Sequence, residues 1–448
     1  MTFKRVLALF MAAFVALCLF SCKPAEKTAL QTGTITPEPG KTLSFRITWK
    51  DYSGRGQAIS KIVDQYNLLS DQDSTVQVVS GDEDINAVQA LLGTEQDMVF
   101  VLPYRYVQYF GGMGLLTDLT EVFQAEENAF YPAVWRLGTA DGKTYGIPWL
   151  GHSMCLLYNK TILADAGVDP ASITSLDALV AAMTAVEEKT AARGIGLVGS
   201  ESNDVSWMVN QFIYGFGGSL VSEAGDRVTV NSPESVKAIT FYRDVLGAHA
   251  QPTWTKDTGV EVMEHFLKQE VAFEIQGIWG VTDVQKNGSP FEVGVIPLRQ
   301  IGMCAEIGPM MLALPAGMSE ENKAEAEAFI RYMISKDAQE AILNGEFSPE
   351  HDAYYPFRTP IRKDMADTQM LKMNPVYELF IVGFENPSID VPVPAWVTIK
   401  KDYYEPGLHS VMLGAVSIET FLSMIEAEGN RILAANDWAV RGKYEDFD

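Results

Sequence analysis

From Leu43 onward the apolar positions fall into two alternating rhythms. Leu43, Phe45, Ile47 and Trp49 alternate with polar residues, the period of a half-buried strand. Ala58, Ile59, Ile62, Val63 and Tyr66 then recur at helical spacing. A second strand is expected over 75–79 and a helix over 85–92. The wholly apolar run 98–102 reads as a strand buried on both faces of a parallel sheet. A β-α-β-α-β opening implies a doubly wound α/β sheet, whose ligands sit at the loops after the strand C-termini. Here those loops are residues 51–54, 81–84 and 103–106. The alternation continues further on. Ser175 caps a helix with Leu176, Leu179, Val180, Met183 and Val186 on one face. Val271, Phe273 and Ile275 form a strand, as do Val293 and Val295. Ser319 caps an acidic-fronted helix reaching Ile334, and Ser417 caps another with Ile418, Phe421, Leu422 and Ile425 inward. No internal repeat is visible, and two α/β lobes account for the length.

The first 40 residues follow neither rhythm. Lys4 and Arg5 precede the apolar run 6–20, about the length of a signal-peptide core and short for a bilayer span. The run ends in Leu19-Phe20-Ser21-Cys22, which looks like a bacterial lipobox. Residues 1–21 are then a signal peptide and Cys22 an acylated N-terminus that ties the chain to a membrane; an uncleaved anchor is the alternative. Residues 22–42, rich in Pro, Thr, Gly and Lys, read as a flexible tether.

Charge narrows the partners. The 448 residues carry 34 Lys and Arg against 58 Asp and Glu, a formal net charge of −24. Such a surface repels phosphate backbones and anionic headgroups, so nucleic acid is excluded as a partner. Of four cysteines, Cys18 leaves with the signal and Cys22 is the lipid site. Cys155 and Cys304 match no metal spacing and read as small buried hydrophobes, with one bridge between them left open.

Catalytic and metal signatures are absent. The five His (152, 249, 265, 351, 409) form no HExxH, so no metal site or cofactor is expected. The run from Gly138 to Thr144 is one residue short of a phosphate-binding loop, and Gly151-His152-Ser153-Met154-Cys155 lacks the closing glycine of a nucleophile elbow. Asp71/Asp73 and Asp82/Asp84 lack the Gly and Glu of a calcium loop. A glycoside hydrolase needs only two carboxylates across a cleft, so a surface-anchored hydrolase stays open as an alternative.

Several stretches together resemble the family 1 extracellular solute-binding proteins, the sugar-receptor lipoproteins of ABC importers. They are Gly114-Leu115-Leu116-Thr117-Asp118-Leu119-Thr120; Gly142-Lys143-Thr144-Tyr145-Gly146-Ile147-Pro148-Trp149 with Leu157-Tyr158-Asn159-Lys160 and Ala166-Gly167; and Val228-Thr229-Val230-Asn231-Ser232-Pro233-Glu234 with Phe241-Tyr242. The stretch from Phe266 to Phe273, followed by Gly277-Ile278-Trp279 and Val293 to Pro297, completes the set, with Glu270 standing where glycine is usual. The order holds over residues 43–435. The resemblance implies a maltose-binding-protein-like, type II periplasmic binding fold: two doubly wound α/β lobes joined by crossing hinge segments, lobe 1 being 43–149 plus 292–336 and lobe 2 being 150–291 plus 337–448. It implies a monomeric, non-catalytic, extracytoplasmic receptor that closes on a carbohydrate and presents it to ABC permease subunits. Trp279, Trp396 and Trp207 occupy positions where the family places sugar-stacking rings, and Trp149 lies near the lobe junction. His152 follows the crossover, where relatives carry a polar ligand contact. Arg358, in Pro356-Phe357-Arg358-Thr359-Pro360, resembles the family's P-x-R loop, its fork suited to vicinal hydroxyls. Asp51, Glu83, Asp84 and Tyr104 are polar candidates in the strand-end loops of lobe 1. Another small polar solute (a polyol or sugar phosphate) and a sensory rather than transport role remain open.

Overall fold

A computed structural model describes residues 41–70, 74–81, 84–222, 225–365, 368, 371–372, 374–385, 387–388, 393 and 395–435. The expected signal segment, Cys22, Glu83 and nearly all of the tether lie outside them. In chain order the main elements are β1 (Lys41–Ile47), α1 (Gly54–Leu69), β2 (Ser74–Ser80), α2 (Ile85–Thr94), β3 (Met98–Pro103), α3 (Tyr104–Gly112), β4 (Ile147–Leu150), β5 (Cys155–Asn159), α4 (Leu176–Lys189), β6 (Arg193–Gly196), α5 (Asn203–Gly215), α6 (Gly259–Leu267), β7 (Val271–Gln276), α7 (Ile278–Lys286), β8 (Val293–Pro297), β9 (Met310–Ala313), α8 (Glu320–Met333), α9 (Lys336–Asn344), β10 (Glu346–Ser348), β11 (Ala353–Tyr355) and α10 (Ile418–Ala435).

The opening pattern folds as its periodicity dictates. Leu43, Phe45 and Ile47 of β1 turn inward and are buried. The helix α1 starts where Ser53 accepts a hydrogen bond from the Gly56 amide, and it buries Ala58, Ile59, Ile62, Val63 and Tyr66. Ser175, Ser319 and Ser417 accept first-turn amides of α4, α8 and α10 in the same way. β1 begins at Lys41, within the segment expected as tether, and ends at Ile47, leaving Trp49 beyond the strand.

Two sheets result. The first has the order β2-β1-β3-β9-β4, with β1 parallel to β2 and β3, and β9 antiparallel to both of its neighbours. The second has the order β8-β5-β7-β6, antiparallel except for β6 on β7. Each carries its own apolar core. One gathers Phe45, Phe100, Trp149 and Phe329; the other gathers Met183, Phe212, Phe273, Trp396 and Phe421.

The chain passes between the sheets by crossing segments. Residues 151–154 run from β4 to β5, and residues 298–309 return from β8 to β9. The two are hydrogen-bonded to each other: the Met154 amide donates to the Glu306 carbonyl at 2.9 Å and the Gly308 amide to the His152 carbonyl at 3.2 Å. Gly151 and Thr359 exchange a further pair of backbone bonds, and residues 387–388 run parallel to 305–306.

Two placements need correction. β8, expected in the first lobe with 292–336, pairs along its whole length with β5 in the second sheet. Its apolar face fits either sheet, and the antiparallel register on β5 decides. Conversely, Ala338 and Ile342 of α9, with Phe357, Ile361 and Phe384, pack into the first core although 337–448 was expected in the second lobe. In the α6–β7 turn, Gln269 adopts the left-handed conformation, at φ 60.

Candidate functional site

The crossing segments carry the polar centre of the molecule. His152 projects from one and Glu306 from the other, and His152 Nε2 lies 2.9 Å from Glu306 Oε2. Both side chains are almost fully buried, at 6% and 2% exposure. Gly308 makes room for the ring: a Cβ there would fall 2.1 Å from His152 Cε1. Gln211 of α5 holds the Glu306 backbone, its Oε1 accepting the Glu306 amide at 3.1 Å. One atom of each partner is left over. His152 Nδ1 and Glu306 Oε1 are buried with no hydrogen-bond partner among the described residues. With Nε2–H donated to the carboxylate, Nδ1 of a neutral imidazole is an acceptor, as is Oε1. In that tautomer neither acceptor has a donor among the described residues, an arrangement that costs stability unless a ligand or solvent supplies one.

Aromatic rings flank this pair. Trp279 meets the imidazole edge-on, centroids 5.0 Å apart, and Trp207 lies tilted at 6.0 Å. Trp207 sits on α5 one turn before Gln211, so one helix face supplies both. Trp279 is in the first turn of α7 and folds back over Gly277, where a Cβ would come within 2.2 Å of its ring. Arg358 extends the row: its Cζ lies 5.0 Å from the Trp279 centroid and 5.3 Å from that of Trp49. Trp49 packs on the first core and Trp207 on the second, so Trp49, Arg358, Trp279, His152 and Trp207 form one run of successive contacts between the two cores. Half-buried ring faces beside two acceptors suit a solute with an apolar C–H face and a rim of hydroxyls.

The other candidates lie elsewhere. Trp149 is fully buried in the first core, edge-on to Phe45 at 5.4 Å. Trp396 is sealed in the second core, 5.5 Å from Tyr404. Neither indole lines the junction, because each is packed on all sides by its own lobe. Tyr104 is buried at the start of α3, and its amide reaches the Pro309 carbonyl at 3.3 Å, tying β3 to the crossing segment. Asp51 and Asp84 do stand at strand ends, but their carboxylates are spent locally. Asp51 accepts the Tyr52 amide, and Asp84 caps α2 by accepting the Ala87 amide at 2.8 Å.

Three further side chains belong to this cluster without a mark in the sequence. Trp49 was absorbed into the strand alternation, yet β1 stops two residues short of it. Glu306 and Gln211 carried no motif; only their place beside the crossing would have marked them. Beneath α7, Glu274 of β7 is fully buried with neither carboxyl oxygen bonded among the described residues, and desolvation holds its pKa well above the ordinary glutamate range, with Asp283 adding to the rise. Burial also raises Asp283, against the pull of Arg55 and Lys286. No disulfide joins Cys155 and Cys304, and burial pushes the Cys155 thiol up. A cavity of about 340 Å³ lies at the far end of the second sheet, but its polar side chains are already paired: His265 with Glu270, Gln251 with Leu197, Arg193 with the Ala250 carbonyl. Among the described residues no group of His, Cys, Asp or Glu could hold a metal ion, and no helix is long and apolar enough to cross a membrane.

Two α/β lobes joined by mutually bonded crossing segments, with polar and aromatic residues gathered at the crossing, define the fold of the type II periplasmic binding proteins. The chain belongs to the bacterial extracellular solute-binding proteins, whose family model matches residues 61–378. It is therefore a binding receptor and not an enzyme. A probable ABC transporter-binding protein of Deinococcus radiodurans is 25% identical over 333 residues, covering 71% of this chain and 76% of the relative. Among solved structures, maltose-bound MalE3 of T. maritima superposes with a TM-score of 0.74 at 20% identity, over 88% of this chain and 99% of that one. A solute-binding protein of Agrobacterium radiobacter K84 in complex with ribitol gives 0.70 at 19% identity, over 89% and 100%.

Proposed function

We propose that this chain is a lipid-anchored extracytoplasmic receptor that captures a carbohydrate at the lobe junction and delivers it, unchanged, to an ABC permease. The observation that carries the reading is the buried pair His152 and Glu306, each with an open acceptor, set between the rings of Trp207 and Trp279. A pyranose answers both needs at once, since hydroxyl donors meet the acceptors and C–H faces meet the indoles. Maltose in the T. maritima relative and the transporter name of the Deinococcus one support it. The acyl anchor rests on the lipobox at Cys22. A polyol is the second reading, favoured by the ribitol complex, because it offers the same hydroxyls without a stiff ring face.

The test is a thermal-shift panel of saccharides and polyols on the protein lacking its first 21 residues. A true ligand raises the melting temperature with concentration, by mass action worth about 2.7 kcal/mol at a hundredfold excess over Kd. The shift disappears in Trp207→Ala, and the ligand is recovered intact. Silence across the whole panel overturns the proposal.

A further inference from the structure

Arg358 already occupies the ring faces at one end of this site, and the chain around it is fastened on both sides. It follows the hairpin of β10 and β11, which packs on α1 of the first lobe and on α7 of the second. Just before it, the Pro356 carbonyl accepts a hydrogen bond from Thr282 on α7, and Phe357 is buried, edge-on to Trp49 at 6.1 Å. Just after it, Thr359 exchanges two backbone bonds with Gly151 of the crossing segment. The guanidinium itself donates from Nη1 to the Phe357 carbonyl at 2.8 Å. Held this way, its planar cation lies against Trp49 and Trp279 together, at 5.3 and 5.0 Å from their ring centres. A guanidinium uses the aromatic face that a sugar's C–H surface would use, so the slot between these indoles holds one or the other.

We propose that Arg358 is the specificity-determining residue for ligand length. It fills the seat between Trp49 and Trp279 and ends the ligand site at Trp279, one sugar ring shorter than the two indoles would otherwise build. The proposal rests on the carbohydrate reading above and names, within it, short saccharides as the ligand class. Backbone fastening on both sides fixes where the side chain starts, and the Phe357 carbonyl with the two indoles holds its head.

The test is calorimetric titration of the wild type, Arg358→Ala and Arg358→Gln with glucose, maltose, maltotriose and maltotetraose, and with cellobiose and cellotetraose. Melting curves first establish that each variant is folded, the glutamine variant keeping a planar polar group should alanine destabilise the loop. In Arg358→Ala the affinity ratio of the longer saccharide to the shorter rises about tenfold over wild type, the effect of one added stacking contact. Arg358→Gln lies between the two. Binding by wild type and variants with the same length profile overturns this proposal alone. Failure of every probe to bind any of the three proteins is instead the failure of the carbohydrate reading, and the plug falls with it.

Discussion

At the scale of single residues, the site depends as much on what is missing as on what is present. Gly308 lets the His152 ring lie against backbone, and the nearest approach leaves no room for a methyl group. Gly308→Ala pushes the imidazole off Glu306 and strands a buried carboxylate, at a cost of about 1–3 kcal/mol. Denaturant unfolding measures that loss, and calorimetry is expected to show ligand affinity falling at least about tenfold. Unaltered affinity in that variant would show that the His152–Glu306 contact is dispensable for binding. The same scale shows where residue type misleads. Trp149 and Trp207 are the same side chain in similar apolar company along the chain, yet one is sealed against Phe45 and the other flanks His152. Periodicity reports that a ring is turned inward; it does not report whether the inward direction leads to a core or to a junction between cores.

Secondary elements were the most legible layer. The β1–α1–β2–α2–β3 run follows from side-chain period alone, and serine caps mark helix starts at α4, α8 and α10. Sheet membership of the crossing strands was not legible, because β8 has the same apolar pattern in either sheet and only its register on β5 assigns it. Nor was the burden that β7 carries. Glu274 sits in that strand where an apolar residue would be cheaper, and desolvation keeps its proton on. Above the ordinary glutamate range the unfolded chain releases this proton while the folded chain retains it. Stability contributed by the protonated form is thus full in acid and lost as pH rises toward the folded pKa. Glu274→Gln removes that slope. Unfolding curves taken at about pH 4 and about pH 7 are expected to shift in the variant's favour at the higher pH. A shift toward wild type would mean that the folded carboxyl is ionised and paired.

At the scale of the whole molecule, fold class and lobe number were legible from alternation and length, while the site was only partly so: His152, Trp207, Trp279 and Arg358 converge, and Trp149 and Trp396 do not. The net charge of −24 separates the remaining ligand classes. An uncharged hydroxylated solute releases no counterions, so its affinity changes by no more than about twofold between low and high salt. A clear salt dependence in either direction in the same titrations would identify a charged solute such as a sugar phosphate. The mutual backbone bonding of the two crossing segments has a mechanical consequence. Residues on a pivot axis travel least when jaws swing, and here the pivot is a ribbon that carries its own ladder. In a hinge closure about this ribbon, His152 and Glu306 would sit where displacement is least, so the floor of the junction would be set before its walls move.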